Sequence, residues 1–287
     1  MRVVDDCGAD DREYADWAGQ MKLGAIRRTK NPWTIAAILL AVHALQMFVI
    51  HKYTFTDWDP NSNLPVYVAR LASMAFSVLA VWALVPEALV LFKLRIGSRS
   101  KWFVFGVFCS LTTSALIYGA INHFPVLSSI DAIIFSLFIG LDEEFFDRVF
   151  TFGLMQRLGL EIALIGSAVI FGALHLTNFF YGEESFNYVL GHVIEAAAFG
   201  YLMAVIMYVT GSVWLPVFMH GMTDLRWVTM DMGEYTTIVS GGTDWIAVLF
   251  TTAVFVGASR ITLAMHQDRL HFPDSWLCTL RWFGLVE

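Results

Sequence analysis

The sequence predicts an all-α fold, a polytopic membrane helix bundle with about eight transmembrane helices. Three observations carry this reading. First, of 287 residues 57% are apolar and only 15% are Asp, Glu, Lys or Arg, against roughly 45–50% and about 25% in soluble domains. A soluble domain of this size still exposes much of its surface to water and could not hide that share of apolar side chains. Second, the apolar residues fall in runs near the ~20 residues a bilayer requires. Third, basic residues alternate between successive loops, as a chain threading back and forth across a membrane demands.

The expected spans run Trp33–Val49, Val66–Phe92, Phe103–Ile121, Ala132–Met155, Ile162–Phe180, Val189–Val209, Val213–Thr229 and Trp245–Met265. Lys22, Arg27, Arg28 and Lys30 precede the first, and Lys93, Arg95, Arg99 and Lys101 fill the second loop. Arg157 closes the fourth span, and Arg269 and Arg281 lie in the tail. The intervening loops hold Lys52 alone, or no base in Asn122–Asp131 and Tyr181–Tyr188, and the last, Asp231–Asp244, is acidic. Both termini are therefore expected in the cytoplasm.

No repeat or linker divides the chain. The expected organisation is a cytoplasmic N-terminal segment over 1–32, an eight-helix membrane domain over 33–266 with its polar core at 130–227, and a cytoplasmic tail over 267–287. The net charge of −7 owes much to Asp5, Asp6, Asp10, Asp11, Glu13 and Asp16, and no basic stripe offers a nucleic-acid surface. That acidic start differs from the basic region of a cleaved signal peptide, so the first helix is expected to stay. Cys7, Cys109 and Cys278 are far apart and suggest no disulfide framework or cysteine-rich metal site.

Ionisable residues inside a bilayer are costly and point to function by default. Four stretches carry them: Asp142-Glu143-Glu144-Phe145-Phe146-Asp147-Arg148, Phe171 to His175 with Asn178, His192 with Glu195, and His220 with Asp224. Glu143 lies 14 residues from Arg157, and His175 lies 14 from Glu161, which is roughly 21 Å along a helix. His220, Asp224 and Glu195 reach broadly similar depths on the same reckoning. Glu144 and Arg148 are one turn apart and can pair, an arrangement that could also hold helices together without any chemistry. Glu143 points about 100° away from Glu144, nearer the line of Asp147. A carboxylate base, a histidine on the water and a second histidine facing an oxyanion make a peptide-hydrolysing set. The same Glu143, His175, His220 and Asp224 could instead hold Zn²⁺ with a position open to water, although no HExxH is present. His192 and Glu195 share a face and are expected to make interhelical hydrogen bonds rather than act as ligands. Phe145, Phe146, Phe179 and Phe180 read as packing or lipid-facing aromatics, and Gly200 as a site of close helix approach.

In order and on successive helices, Glu143-Glu144-xxx-Arg148, Phe171-xxx-His175 and His220-xxx-Asp224 match EExxxR, FxxxH and HxxxN/D, with Thr210-Gly211-Ser212 before the last. Over about 130–227 the chain resembles the CAAX-protease and bacteriocin-processing (CPBP) intramembrane peptidases, to which the prenyl-protein endopeptidases belong. The resemblance implies that Glu143 acts as general base with His175 on the attacking water. It implies that Glu144 and Arg148 support them, and that His220 with residue 224 forms the oxyanion hole. The prenyl endopeptidases carry Asn where this chain has Asp224. An ionised carboxylate cannot donate to an oxyanion, so Asp224 is left to be protonated, to orient His220 or to bind a metal.

The expected activity is thus endoproteolysis of a membrane-embedded, lipid-anchored or amphipathic peptide, at the plasma membrane if the source is bacterial. There a peptide precursor, pheromone or membrane-protein tail is expected in place of a prenylated CaaX tail. Two alternatives compete: a non-proteolytic bacteriocin-immunity or scaffold protein of the same family, and a proton-coupled transporter. The latter predicts inverted repeats and broken helices, and the sequence carries no such repeat.

Overall fold

A computed structural model describes residues 31–54, 64–92, 126–181, 184–229 and 242–266. Within them the chain is helical, with no strand among the described residues. The long helices are α1 (Pro32–Thr54), α2 (Leu64–Leu84), α3 (Val126–Glu144), α4 (Leu160–Leu174), α5 (Phe186–Thr210), α6 (Trp214–Thr229) and α7 (Trp245–His266). The polytopic helical bundle is therefore as expected. The expected third span, Phe103–Ile121, lies outside the described residues, as do the segments 1–30 and 267–287.

By length and composition, Tyr67–Leu84, Leu160–Thr177, Phe186–Thr210 and Trp245–His266 can each cross a membrane, and Trp33–Gln46 is a shorter apolar stretch. α3 is interrupted by acidic residues and α6 has only 16 residues, and these two carry most of the polar cluster. Leu79, Trp82, Ile246 and Phe250 are exposed on the outer surface, as lipid-facing side chains would be. The core instead gathers around the end of α3, where Phe145, Phe146, Val149, Phe150 and Phe152 pack against Val81, Val85, Leu91 and Leu164.

Two departures from the expected spans have local causes. The second was expected to run to Phe92, but α2 stops at Leu84 and a 3₁₀ turn follows over Pro86–Phe92. Pro86 cannot donate a backbone hydrogen bond and clashes with the preceding turn of a continuing helix. The freed Leu84 carbonyl accepts instead from Arg157 Nη2, and Leu91 and Phe92 accept from Val213 N and Trp214 Nε1 at 2.9 and 2.8 Å. These bonds tie the end of α2 to Arg157 and the end of the 3₁₀ turn to the start of α6. In the fourth span, α3 widens at Phe145–Thr151 into a π-helical turn before a last helical turn over Phe152–Met155. Such single π turns recur at functional sites.

α3 and α6 pack along their length, α5 is flanked by α4 and α7, and α2 lies against α1 and α3. Glycines set the closest crossing. A Cβ at Gly140 would stand 2.5 Å from the Val217 carbonyl oxygen, and one at Gly221 would stand 2.8 Å from that of Ser136. α3 and α6 thus meet backbone to backbone, as small residues permit between membrane helices. Gly211 caps α5 at φ 63°, the left-handed conformation that glycine adopts without strain, and turns the chain directly into α6.

Candidate active site

Three helices build the cluster from the residues named by the motifs. On α3, Glu144 and the π-turn Arg148 pair through Nε and Oε2 at 2.9 Å, both side chains 0% exposed. From α6, His220 Nδ1 donates to Glu144 Oε1 at 2.8 Å. Its Nε2 faces Asp224 Oδ2 at 3.4 Å and Glu143 Oε2 at 3.7 Å. Carboxylate oxygens therefore stand on both sides of the ring. Glu144 is saturated and sealed, whereas Glu143 and Asp224 remain 26% and 22% exposed.

α4 supplies the wall. Phe171 presents its ring to the Arg148 guanidinium, with Cζ 4.9 Å from the centroid, a cation–π contact. It also meets His220 edge-on at 5.5 Å and His175 at 5.0 Å. The same residue's carbonyl accepts from His175 Nδ1 at 2.9 Å. That bond puts the proton on Nδ1 and leaves Nε2 with its lone pair. His175 lies within electrostatic range of Glu143, and its ring packs at 4.7 Å from His192 of α5. Gly200, also on α5, leaves room for the arginine, since a Cβ there would lie 3.2 Å from Arg148 Nη2 and 3.0 Å from Phe171 Cδ1.

Arg148, Glu144 and His220 are thus linked in series, with Glu143 and Asp224 beside the free edge of His220, and His175 flanks them across Phe171. Glu195 shares their depth but bonds Thr251 of α7, on another side of α5. For His192, Nδ1 has no hydrogen-bond partner among the described residues. Asp147 is buried beside Arg148 with Oδ1 likewise unpartnered. Phe145 and Phe146 are packed in the core, while Phe179 is exposed; the Phe180 side chain is outside the description.

Among the described residues, no group of three or more His, Cys, Asp and Glu side chains is arranged to hold a metal ion. The set considered for Zn²⁺, Glu143, His175, His220 and Asp224, is not among such groups, although the engaged Nδ1 of each histidine leaves its Nε2 free.

The family model for Type II CAAX prenyl endopeptidases, Rce1-like, matches residues 125–226, from the start of α3 through the HxxxD of α6. Over these residues the chain is similar to that peptidase family. A relative described as "Putative membrane peptidase YdiL", from Bacillus subtilis (strain 168), is 24% identical over 160 residues. That match covers 56% of this chain and 59% of the relative, so the chain spans well under two thirds of the relative's length. No solved structure matches the chain.

One arginine of the cluster carries no motif. Arg70 of α2, outside the residues matched by the family model, lies 3.0 Å from Glu143 Oε1 and 3.2 Å from Asp142 Oδ2. A charge early in the apolar run of the second span was the available signal, by the same rule that singled out Glu143. His43 of α1 is a second such residue, bonded to Thr151 of the π turn at 3.1 Å.

Proposed function

We propose that the protein is an intramembrane endopeptidase that hydrolyses a membrane-anchored or amphipathic peptide, with Glu143 as general base. The observation that carries this reading is the division between adjacent glutamates. Glu144 is fully enclosed and engaged by Arg148 and His220, while Glu143 is a quarter exposed with Oε2 turned toward His220 Nε2. A purely structural pair needs one carboxylate, and a second, accessible one is what proton transfer from water requires.

In this mechanism His175, protonated at Nδ1, accepts a hydrogen bond from the water at Nε2 and aligns it. Glu143 takes the other water proton as the oxygen attacks the scissile carbonyl carbon. The resulting oxyanion is met by His220, which Glu144 holds through Nδ1. When the C–N bond breaks, Glu143 returns the proton to the leaving amine. Asp224, 3.4 Å from Nε2, balances the charge of a doubly protonated His220 and sets its ring, which reconciles an acidic residue with an oxyanion site. The enclosing helices admit an extended substrate from the bilayer, and the topology proposed with this reading has both termini cytoplasmic.

The test compares membrane-protein termini by mass spectrometry in cells bearing the wild type or Glu143→Ala at equal abundance. Termini that require Glu143 identify the substrate. Identical profiles would sink the hydrolytic reading and leave an immunity or scaffold role.

A further inference from the structure

Arg70 is held by a chain of hydrogen bonds that runs through residues outside the three motifs. Gln46 Nε2 of α1 donates to Ser73 Oγ of α2 at 3.1 Å, and Ser73 Oγ donates to Asp142 Oδ1 at 2.7 Å. The other oxygen, Asp142 Oδ2, accepts from Arg70 Nη1, which also donates to Glu143 Oε1. Gln46, Ser73 and Asp142 are buried, whereas the Arg70 side chain is 20% exposed, close to the figure for Glu143. The chain thus leads from the sealed interior of α1 and α2 to the accessible rim of the site.

A guanidinium inside a membrane span needs a counter-charge, and Asp142 alone supplies one. The second contact is not required for neutrality, and its geometric effect is specific. It fixes Oε1 of Glu143 on α2 and leaves Oε2 as the oxygen that faces His220. A carboxylate on an unconstrained glutamate would instead sample several rotamers.

We propose that Arg70 is a positioning residue of the peptidase reaction, anchored by Asp142 and Ser73, that docks Glu143 through Oε1 so that Oε2 receives the proton of water. This rests on the hydrolytic reading above. It makes α1 and α2 part of the working site, although they lie outside the matched core.

The test uses the full chain in liposomes and the peptide spanning a Glu143-dependent cleavage site. Misplacing a catalytic group by about 1 Å can cost on the order of 10²-fold. Arg70→Ala is therefore expected to lower kcat by about that factor with little change in KM. Millimolar guanidinium should restore part of the rate while equal urea does not, and Arg70→Lys should retain more than Arg70→Ala. Ser73→Ala is the milder probe should Arg70→Ala fold poorly, and it should lower kcat several-fold without lowering thermal stability in proportion. Unchanged kcat in Arg70→Ala and Ser73→Ala, or activity that merely tracks the folded fraction with no guanidinium rescue, overturns the inference. Cleavage that depends on Glu143 but ignores Arg70 sinks this inference alone. Cleavage indifferent to Glu143 sinks the hydrolytic reading and takes this inference with it.

Discussion

Replacing Arg148 with Met tests how the centre of the site is held. The guanidinium and the Glu144 carboxylate are both 0% exposed, joined at 2.9 Å, with a second, marginal contact from Nη2 at 3.5 Å. Met fills a similar volume but leaves a buried carboxylate whose remaining partner is His220, 2.8 Å away. Breaking a buried ion pair from one side costs about 3–5 kcal/mol. The surviving imidazole contact puts the expected loss near the lower end, about 3 kcal/mol, or roughly two orders of magnitude in the unfolding equilibrium. Removing both charges, in Glu144→Gln/Arg148→Met, should cost less than the sum of the two single changes, because neither partner is then stranded. Unfolding of the full chain in mixed micelles titrated with dodecyl sulfate, followed by tryptophan fluorescence, reads all three variants. A loss below about 1 kcal/mol for Arg148→Met, or strict additivity in the double variant, would refute the argument that this pair is sealed and mutually dependent.

Further outcomes follow from the same geometry. Gly221→Ala forces a Cβ to 2.8 Å from a backbone oxygen and should destabilise by about 1–3 kcal/mol or more. It should also weaken the His220–Glu144 bond that spans that crossing. Gly257→Ala meets nothing within 4 Å and should be neutral or slightly stabilising, by up to about 1 kcal/mol, in the same unfolding assay. Asp224→Asn keeps an acceptor near His220 and should hold kcat/KM within about tenfold. Asp224→Leu, which removes it, should lose roughly 10- to 150-fold. Phe171→Leu keeps the backbone carbonyl on His175 but removes the ring under Arg148, and is expected to cost about 0.5–2 kcal/mol of stability.

Much of this arrangement was legible in the sequence because helical spacing is local. Glu144 and Arg148, or His220 and Asp224, are one turn apart, so their shared faces follow from 3.6 residues per turn. Depth along each helix also followed from counting residues. Azimuth between helices did not, and Glu195 shows why: it stands at the right depth but faces α7. Arg70 and His43 stood in apolar runs without a motif to connect them to α3. The break at Pro86 could have been read from proline itself, which is followed by Glu87 before the apolar stretch resumes to Phe92. The π turn at Phe145–Thr151 had no comparable signal, because no proline or glycine marks it in the sequence.

The most direct test of the central claim uses the purified full chain in liposomes, the peptide spanning a Glu143-dependent site, and water enriched in oxygen-18. The account predicts that the wild type places one oxygen-18 on each new carboxyl terminus. It also predicts that Glu143→Gln, folded and at equal amount, cleaves about 10²- to 10⁴-fold more slowly. New termini formed at the wild-type rate by Glu143→Gln, or no labelled terminus from the wild type, would contradict it.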